Sequence, residues 1–280
     1  MKVLVVNPYS EKVLNGLREI ALLRLCEFIL VGEKIEIMEK CYRNNIQSKL
    51  FTIYDIVDDM DIIDFCKKSL DEGESDYIVF DDFPEQYQYR IIRPNDKKEI
   101  GNVDILDLPF LRHFVFVSNY SKNHNIDFEE KKKSILQANE IMLKLGIKKT
   151  NAALITNLNN KTDMLEASII SMILNDSNFN NIKIFDNFNI FNLFIKESKV
   201  NIYKNNINLF VFRNYESSRI FLDTLNAFTN TKMASFLLGD YMAIDAKALK
   251  DDNNIIFSLL ILSKLYKAND CNKSLISEIS

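Results

Sequence analysis

The chain has 280 residues, 47% of them apolar and 26% charged, and a net charge of −4 at neutral pH. These values fit one large or two moderate globular domains and exclude a disordered or fibrous chain. The acidic balance argues against a nucleic-acid partner held by phosphate neutralisation, and no apolar run is long enough to span a bilayer, so neither nucleic acid nor membrane is expected as a partner.

Short β-rich runs alternate with helical spacing along the chain. Residues 2–6 read as a strand followed by the Asn7-Pro8 turn, not as a secretory leader, which points to a cytoplasmic location. Residues 10–26 have helical spacing, 28–31 form a second strand closed by Gly32, and a helix follows over 33–45. A strand over 50–54, a helix over 59–72 capped by Gly73 and a strand over 76–80 complete the first series. The next strand is 114–118. The clearest helix is 128–145, with Asp127 as N-cap, Glu130 completing a capping box, an apolar stripe of Phe128, Ile135, Ala138, Met142 and Leu145, and Gly146 at its end. Strands over 152–156, 182–185, 209–212 and 233–238 alternate with helices over 161–174, 216–228 and 254–268. Strand–helix alternation predicts an α/β fold, mainly parallel sheets covered by helices on both faces, in two lobes with a cleft between them.

The motif record is sparse. Gly16, Gly32, Gly73, Gly101, Gly146 and Gly239 are too far apart for a P-loop or a dinucleotide fingerprint. Asparagine is abundant, with 32 in all and 27 of them after residue 100; Asn can occupy left-handed positions that glycine would otherwise fill, and AT-rich coding would produce the same excess. Cys26, Cys41, Cys66 and Cys271 form no CxxC pair and are expected to be reduced thiols. The two histidines, His113 beside an apolar strand and His124 in a polar loop, support no nucleophilic triad. Asp58, Asp59 and Asp61 suit the start of a helix, and the run 129–133 reads as a solvated helix face. Asp81-Asp82 follows a strand at the edge where α/β sheets place ligands, and two carboxylates there would suit a metal or an amine.

Several runs resemble the phosphate acetyltransferase and phosphate butyryltransferase family, the phosphotransacylases, and more closely its butyryl branch. They are the opening Lys2-Val-Leu-Val-Val with Glu11-Lys-Val-Leu and Phe28-Ile-Leu-Val-Gly32-Glu-Lys; Phe116-Val-Ser-Asn119 with Asn123 and the helix ending Leu-Gly-Ile; Ala152-Ala-Leu-Ile-Thr156; and Met233-Ala-Ser-Phe-Leu-Leu-Gly239. The resemblance implies an isocitrate/isopropylmalate dehydrogenase-like fold. It implies a first α/β lobe of 1–112 plus 232–280, and a second lobe of 113–231 that forms a dimer. The family reaction is acyl-CoA + phosphate = acyl phosphate + CoA. Acyl-CoA and phosphate are then the substrates, with no bound cofactor and no metal.

The family's functional positions are largely replaced. Its Ser-Arg-x-Asp motif falls on Ala248, Leu249, Lys250 and Asp251. Its Lys-Gly-Asn falls on Phe80, Asp81 and Asp82, where a cation has become two anions. Its Thr-Asp pair falls on Ser118-Asn119, its Glu-Ala-Gly-Asn turn on Glu216, Ser217, Ser218 and Arg219, and a following Lys on Asp223. Its Asp-Gly-Pro becomes Asp186-Asn187-Phe188. By resemblance the residues left for catalysis are Asp251 and Lys250, and those left for substrate binding are Ser118, Asn119, Asn123, Glu216 and Arg219. Losing one preorganised donor costs about 10²–10³ in rate, so the expectation is a degenerate, weakly active or non-catalytic paralogue. The alternatives are an active acyltransferase with a reorganised site, or a binding and regulatory partner of an active paralogue. Whether the chain is an enzyme stays open on these residues. The apolar span Phe185, Phe188, Ile190, Phe191, Leu193 and Phe194 is weighed as a dimer surface against the lobe's own core.

Overall fold

The computed structural model describes residues 1–93, 100–119, 128–156, 160–176, 180–198 and 201–277. The chain begins β1 (Lys2–Val6), α1 (Glu11–Leu22), β2 (Glu27–Gly32), α2 (Lys34–Arg43), β3 (Thr52–Asp55), α3 (Asp59–Asp71), β4 (Tyr77–Phe80) and α4 (Glu85–Ile92). It continues β5 (Gly101–Asp107), β6 (Val115–Asn119), α5 (Phe128–Lys144), β7 (Thr150–Ile155), α6 (Lys161–Asp176), β8 (Ile182–Phe188), α7 (Ile190–Phe194), α8 (Ile202–Asn205), β9 (Leu209–Val211) and α9 (Tyr215–Phe228). It ends β10 (Lys232–Leu238), β11 (Met242–Asp245) and α10 (Asp252–Ser277).

Two compact units result, Met1–Ile100 with Met233–Ser280, and Gly101–Lys232. Residues 101–112, expected with the first lobe, fall in the second unit because β5 pairs antiparallel with β6, Asn102 opposite Asn119 and Leu106 opposite Val115.

In the first unit the strand order is β3-β2-β1-β4-β11-β10. All neighbours are parallel except β10 with β11. Val3, Leu4, Val5 and Val6 are all fully buried, as expected of a central parallel strand covered on both faces. Helix α1 packs on α10 at Gly16, where a Cβ would stand 2.6 Å from Ile255 Cγ2. Only glycine allows that approach, which brings the start of α10 beside the start of α1.

In the second unit the order is β5-β6-β9-β7-β8, with β6, β9, β7 and β8 parallel. The last parallel strand in sequence, β9, lies between β6 and β7. The expected stripe of α5 is its core face, since Ile135, Ala138 and Met142 are fully buried and Leu145 nearly so. Phe128's side chain and the proposed cap Asp127 lie outside the described residues. The run 129–133 is a solvated face only in part: Glu129 and Lys133 are exposed, whereas Glu130 and Lys131 are only 8% and 9% exposed.

Helix caps follow from residue chemistry. Asp58 accepts from the backbone N–H groups of Met60 and Asp61 and so starts α3. Gly73 and Gly146 take φ of +72° and +86° just beyond α3 and α5, the left-handed geometry a C-terminal turn requires.

Candidate functional site

Parallel α/β sheets present ligand-binding groups on the loops beyond the carboxyl ends of their strands. In the first unit those of β1, β4 and β11 lie together, with Val6 opposite Phe80 and Phe80 opposite Asp245. The loops beyond them carry Ser10 and Lys12, Asp81 and Asp82, and Lys247 to Asp251.

Asp81 is 4% exposed and turned onto Ser10. The Ser10 backbone N–H donates to its Oδ2 at 2.7 Å, and the Ser10 hydroxyl donates to its Oδ1 at 2.8 Å. Burial pushes the Asp81 carboxyl above the ordinary aspartate range, while the Ser10 hydrogen bonds and the nearby Lys12 charge hold it down. Lys12 Nζ donates to the carbonyls of Ala246 at 2.8 Å and Leu249 at 2.6 Å. Asp82 pairs with Lys247 at 3.3 Å. The two carboxylates read from the sequence as a metal or amine site are therefore occupied by Ser10 and by Lys247. Among the described residues no group of three or more metal-capable side chains exists.

The residues at the family's Ser-Arg positions, Ala248 and Leu249, continue this loop. Ala248 ends a single 3-10 turn and Leu249 is 2% exposed. Lys250 is exposed and follows it. Asp251 accepts from the Asn254 backbone N–H at 3.1 Å, which makes it the N-cap of α10. The acid that survives from the motif is thus engaged in starting a helix.

In the second unit the carboxyl ends of β6, β9 and β7 carry the remaining candidates. Ser118 is fully buried and its hydroxyl donates to the Ser134 carbonyl at 2.9 Å, so it faces α5. Asn119 is 2% exposed, and its Nδ2 donates to the Ser218 hydroxyl at 2.8 Å. Its Oδ1 makes no hydrogen bond among the described residues. Glu216 is exposed in the first turn of α9, a helix capped by Asn214, so the positions of the family's Glu-Ala-Gly-Asn turn are helical here. Arg219 on the same helix is held by Asp223 at 3.2 Å and by the fully buried Asp104 of β5 at 3.8 Å. Asn119 and Ser218 therefore meet, and Arg219 reaches β5 through Asp104, whereas Ser118 bonds α5 and Glu216 is exposed. Asn123 lies outside the described residues.

A second buried ion pair joins Lys131 of α5 to Glu166 of α6 at 2.9 Å. Lys131 lines a small pocket with Ile155, Thr156 and Phe212, at the ends of β7 and β9. The sequence reading missed Ser10, Lys12, Asp104, Lys131, Glu166 and Lys247. Ser10 and Lys12 had a signal, since they stand at the end of the first loop after the first parallel strand and in the first turn of the helix that follows. Asp104 had none, because a polar residue inside an unrecognised strand looks like loop.

No family model matches the chain, and no curated protein matches it by sequence. Solved structures do match by fold. A branched-chain phosphotransacylase from Enterococcus faecalis is similar over 95% of this chain and 99% of that one, with a TM-score of 0.77 and 13% identity. A phosphotransacetylase from Streptococcus pyogenes is similar over 96% and 94%, with a TM-score of 0.68 and 13% identity. An isocitrate dehydrogenase from Methylococcus capsulatus is similar over 97% and 88%, with a TM-score of 0.52 and 10% identity. At these identities the likeness is one of fold: a mixed α/β architecture with mainly parallel strands flanked by helices.

Proposed function

We propose that this chain is a phosphotransacylase-family protein that has kept the fold and lost most of the catalytic set. It acts as a weakly active or non-catalytic paralogue of the enzymes that exchange an acyl group between coenzyme A and phosphate. The phosphotransacylase-like fold supports the family. The observation that carries the loss is the state of the cations at the strand ends. Lys247 is matched by Asp82, Arg219 by Asp104 and Asp223, Lys131 by Glu166, and Lys12 by two carbonyls. An acyl-transfer site needs donors aimed at a phosphate and at a developing oxyanion. Cations already neutralised by carboxylates would have to break those pairs first, and breaking the Arg219 and Lys131 pairs leaves buried or half-buried charges unsatisfied, while Lys247 and Asp82 are exposed.

Coenzyme A and phosphate should therefore stabilise the protein poorly. A ligand at about 1,000 times its Kd stabilises by about 4 kcal/mol, so a micromolar site is plain in a thermal melt with millimolar CoA. An unchanged melting temperature is the expected result, and a clear rise with CoA overturns the loss of the site.

The same reading includes a homodimer formed through the second unit and a cytoplasmic location. The apolar outer face of α6 supports the dimer, with Leu165 63%, Ile169 43%, Met172 67% and Ile173 41% exposed. Buried, unbridged Cys26, Cys41 and Cys66 support a reducing compartment. Among the described residues no helix is long and apolar enough to cross a membrane. Pairing with an active paralogue would use the same α6 face.

A further inference from the structure

The second unit has a cavity of about 310 Å³ that the proposed function does not use. It lies at the edge of the sheet opposite the carboxyl ends of the parallel strands. The loop between β5 and β6 forms most of it, and Ile147 before β7 and Asn208 before β9 close it. Its size is at the lower end of the range for small-molecule pockets, about 300–1,000 Å³.

Three polar side chains line it, Asp107, Arg112 and His113, beside the apolar Leu111, Phe114 and Ile147. Asp107 is half-buried and Arg112 is exposed. Neither forms a hydrogen bond or an ion pair with any described residue, although they carry opposite charges and share one cavity. His113 Nε2 stands 3.0 Å from the Ile207 carbonyl oxygen. A carbonyl only accepts, so Nε2 carries the hydrogen, and in the neutral ring Nδ1 is left as an acceptor. Asn208, by contrast, is fully engaged, since its Oδ1 accepts from the Asn151 N–H and its Nδ2 donates to the Lys149 carbonyl.

We propose that this cavity binds a small zwitterion of the α-amino-acid class with a compact apolar side chain, its ammonium on Asp107 and its carboxylate on Arg112. A ligand with a single charge meets one of the two groups and leaves the other without a partner, so it forfeits the second charge-assisted hydrogen bond. A phosphate is repelled by Asp107, and a metal cation by Arg112. A net-neutral ligand with both charges meets both groups with charge-assisted hydrogen bonds. Leu111, Phe114 and Ile147 supply the apolar wall for a compact side chain.

The test is calorimetric titration of the full chain with L-leucine, L-valine and L-phenylalanine. The controls are 3-methylbutylamine and 4-methylpentanoate, which each keep one charge of leucine. One of the amino acids should bind with one-to-one stoichiometry, and both controls should bind about tenfold or more weakly than leucine. Asp107→Asn and Arg112→Gln should each weaken the amino acid by about tenfold or more, with an unchanged far-ultraviolet spectrum. No binding by any of the three amino acids at about 10 mM overturns the proposal. So does a single-charge control that binds as tightly as leucine, or a variant that binds as tightly as wild type. The Arg112→Gln arm and the controls stand even if Asp107→Asn fails to fold.

Discussion

At the residue scale, asparagine takes positions that glycine and aspartate take elsewhere. Asn7, Asn45 and Asn206 have φ of 47°, 54° and 46°, left-handed values that fill turns without glycine. Asn189, Asn201 and Asn214 start helices as N-caps. The excess of asparagine was visible in the sequence, where left-handed use was one of two readings beside a coding bias; which asparagines would turn was not visible, because that depends on where each helix ends. Arg24 is the exception among these left-handed residues, with φ of 55°. It stands just past α1, where its N–H donates to the Ala21 carbonyl at 2.9 Å and the Leu25 N–H to that of Ile20 at 3.4 Å, the bonds of a Schellman turn. A left-handed residue with a Cβ costs about 1–2 kcal/mol, and the unfolded-chain entropy of glycine offsets about 0.5–1 kcal/mol of the gain from removing it. Arg24→Gly should therefore raise the melting temperature by about 2 °C in calorimetry, and a decrease would show that the side chain itself stabilises the loop.

Asp81 makes a pH-dependent contribution of known sign. Its folded pKa is raised above 3.8, chiefly by burial. Between 3.8 and that raised value the folded state binds more protons than the unfolded state, so stability falls as pH rises through this window. The full desolvation cost stands above it. Asp81→Asn removes the charge and keeps an acceptor for Ser10. Its melting temperature relative to wild type should be most favourable at neutral pH and should decline as the pH is lowered through the folded pKa. A difference that grows on acidification would mean that Asp81 is stabilised as an anion.

At the element scale, the strongly periodic parts of the chain were legible. Helix α5 buries the stripe read from its spacing, and β1, β4 and β6 are the buried runs they looked like. The missed elements are short or polar. β11 has four residues, and β5 has the sequence Gly-Asn-Val-Asp-Ile-Leu-Asp, whose buried Asp104 has the Arg219 guanidinium 3.8 Å away. The aromatic span after β8 divides between the two roles weighed for it. Leu193 is fully buried, Phe191 is 68% exposed, and Phe194 is 38% exposed and stacks edge-on against Phe110.

Helix α6 is the less anticipated surface. It buries Ala167, Ile170 and Leu174 against its own unit while Leu165, Ile169, Met172 and Ile173 face outward. A helix with apolar residues on both its inner and its outer face is normally covered on both. Under the proposed dimer, Leu165→Glu with Met172→Glu should give a folded monomer by light scattering at tens of micromolar, where the wild type is a dimer. Since both positions are exposed within the chain, the pair should leave the circular dichroism spectrum intact. A wild-type monomer at that concentration removes the dimer.

At the scale of the whole molecule, each unit presents its charged loops at the carboxyl ends of parallel strands, and there Lys247, Arg219 and Lys131 are matched by carboxylates and Lys12 by two carbonyls. The fold class was readable because strand–helix alternation is imposed by covering a parallel sheet on both faces. The site was readable only in part. A motif shows which side chains are present, and here the decisive fact is what each one touches: Asp251 caps a helix, Ser118 bonds a helix carbonyl, and Arg219 is clamped by two aspartates. Those contacts come from distant segments that no local pattern joins. If the fold persists without the catalysis, purified protein should release CoA from butyryl-CoA and acetyl-CoA in the presence of phosphate at a turnover far below the ordinary enzyme range, whose lower end is about 1 s⁻¹. A turnover of about 1 s⁻¹ or above with either substrate would show that the catalytic set is intact.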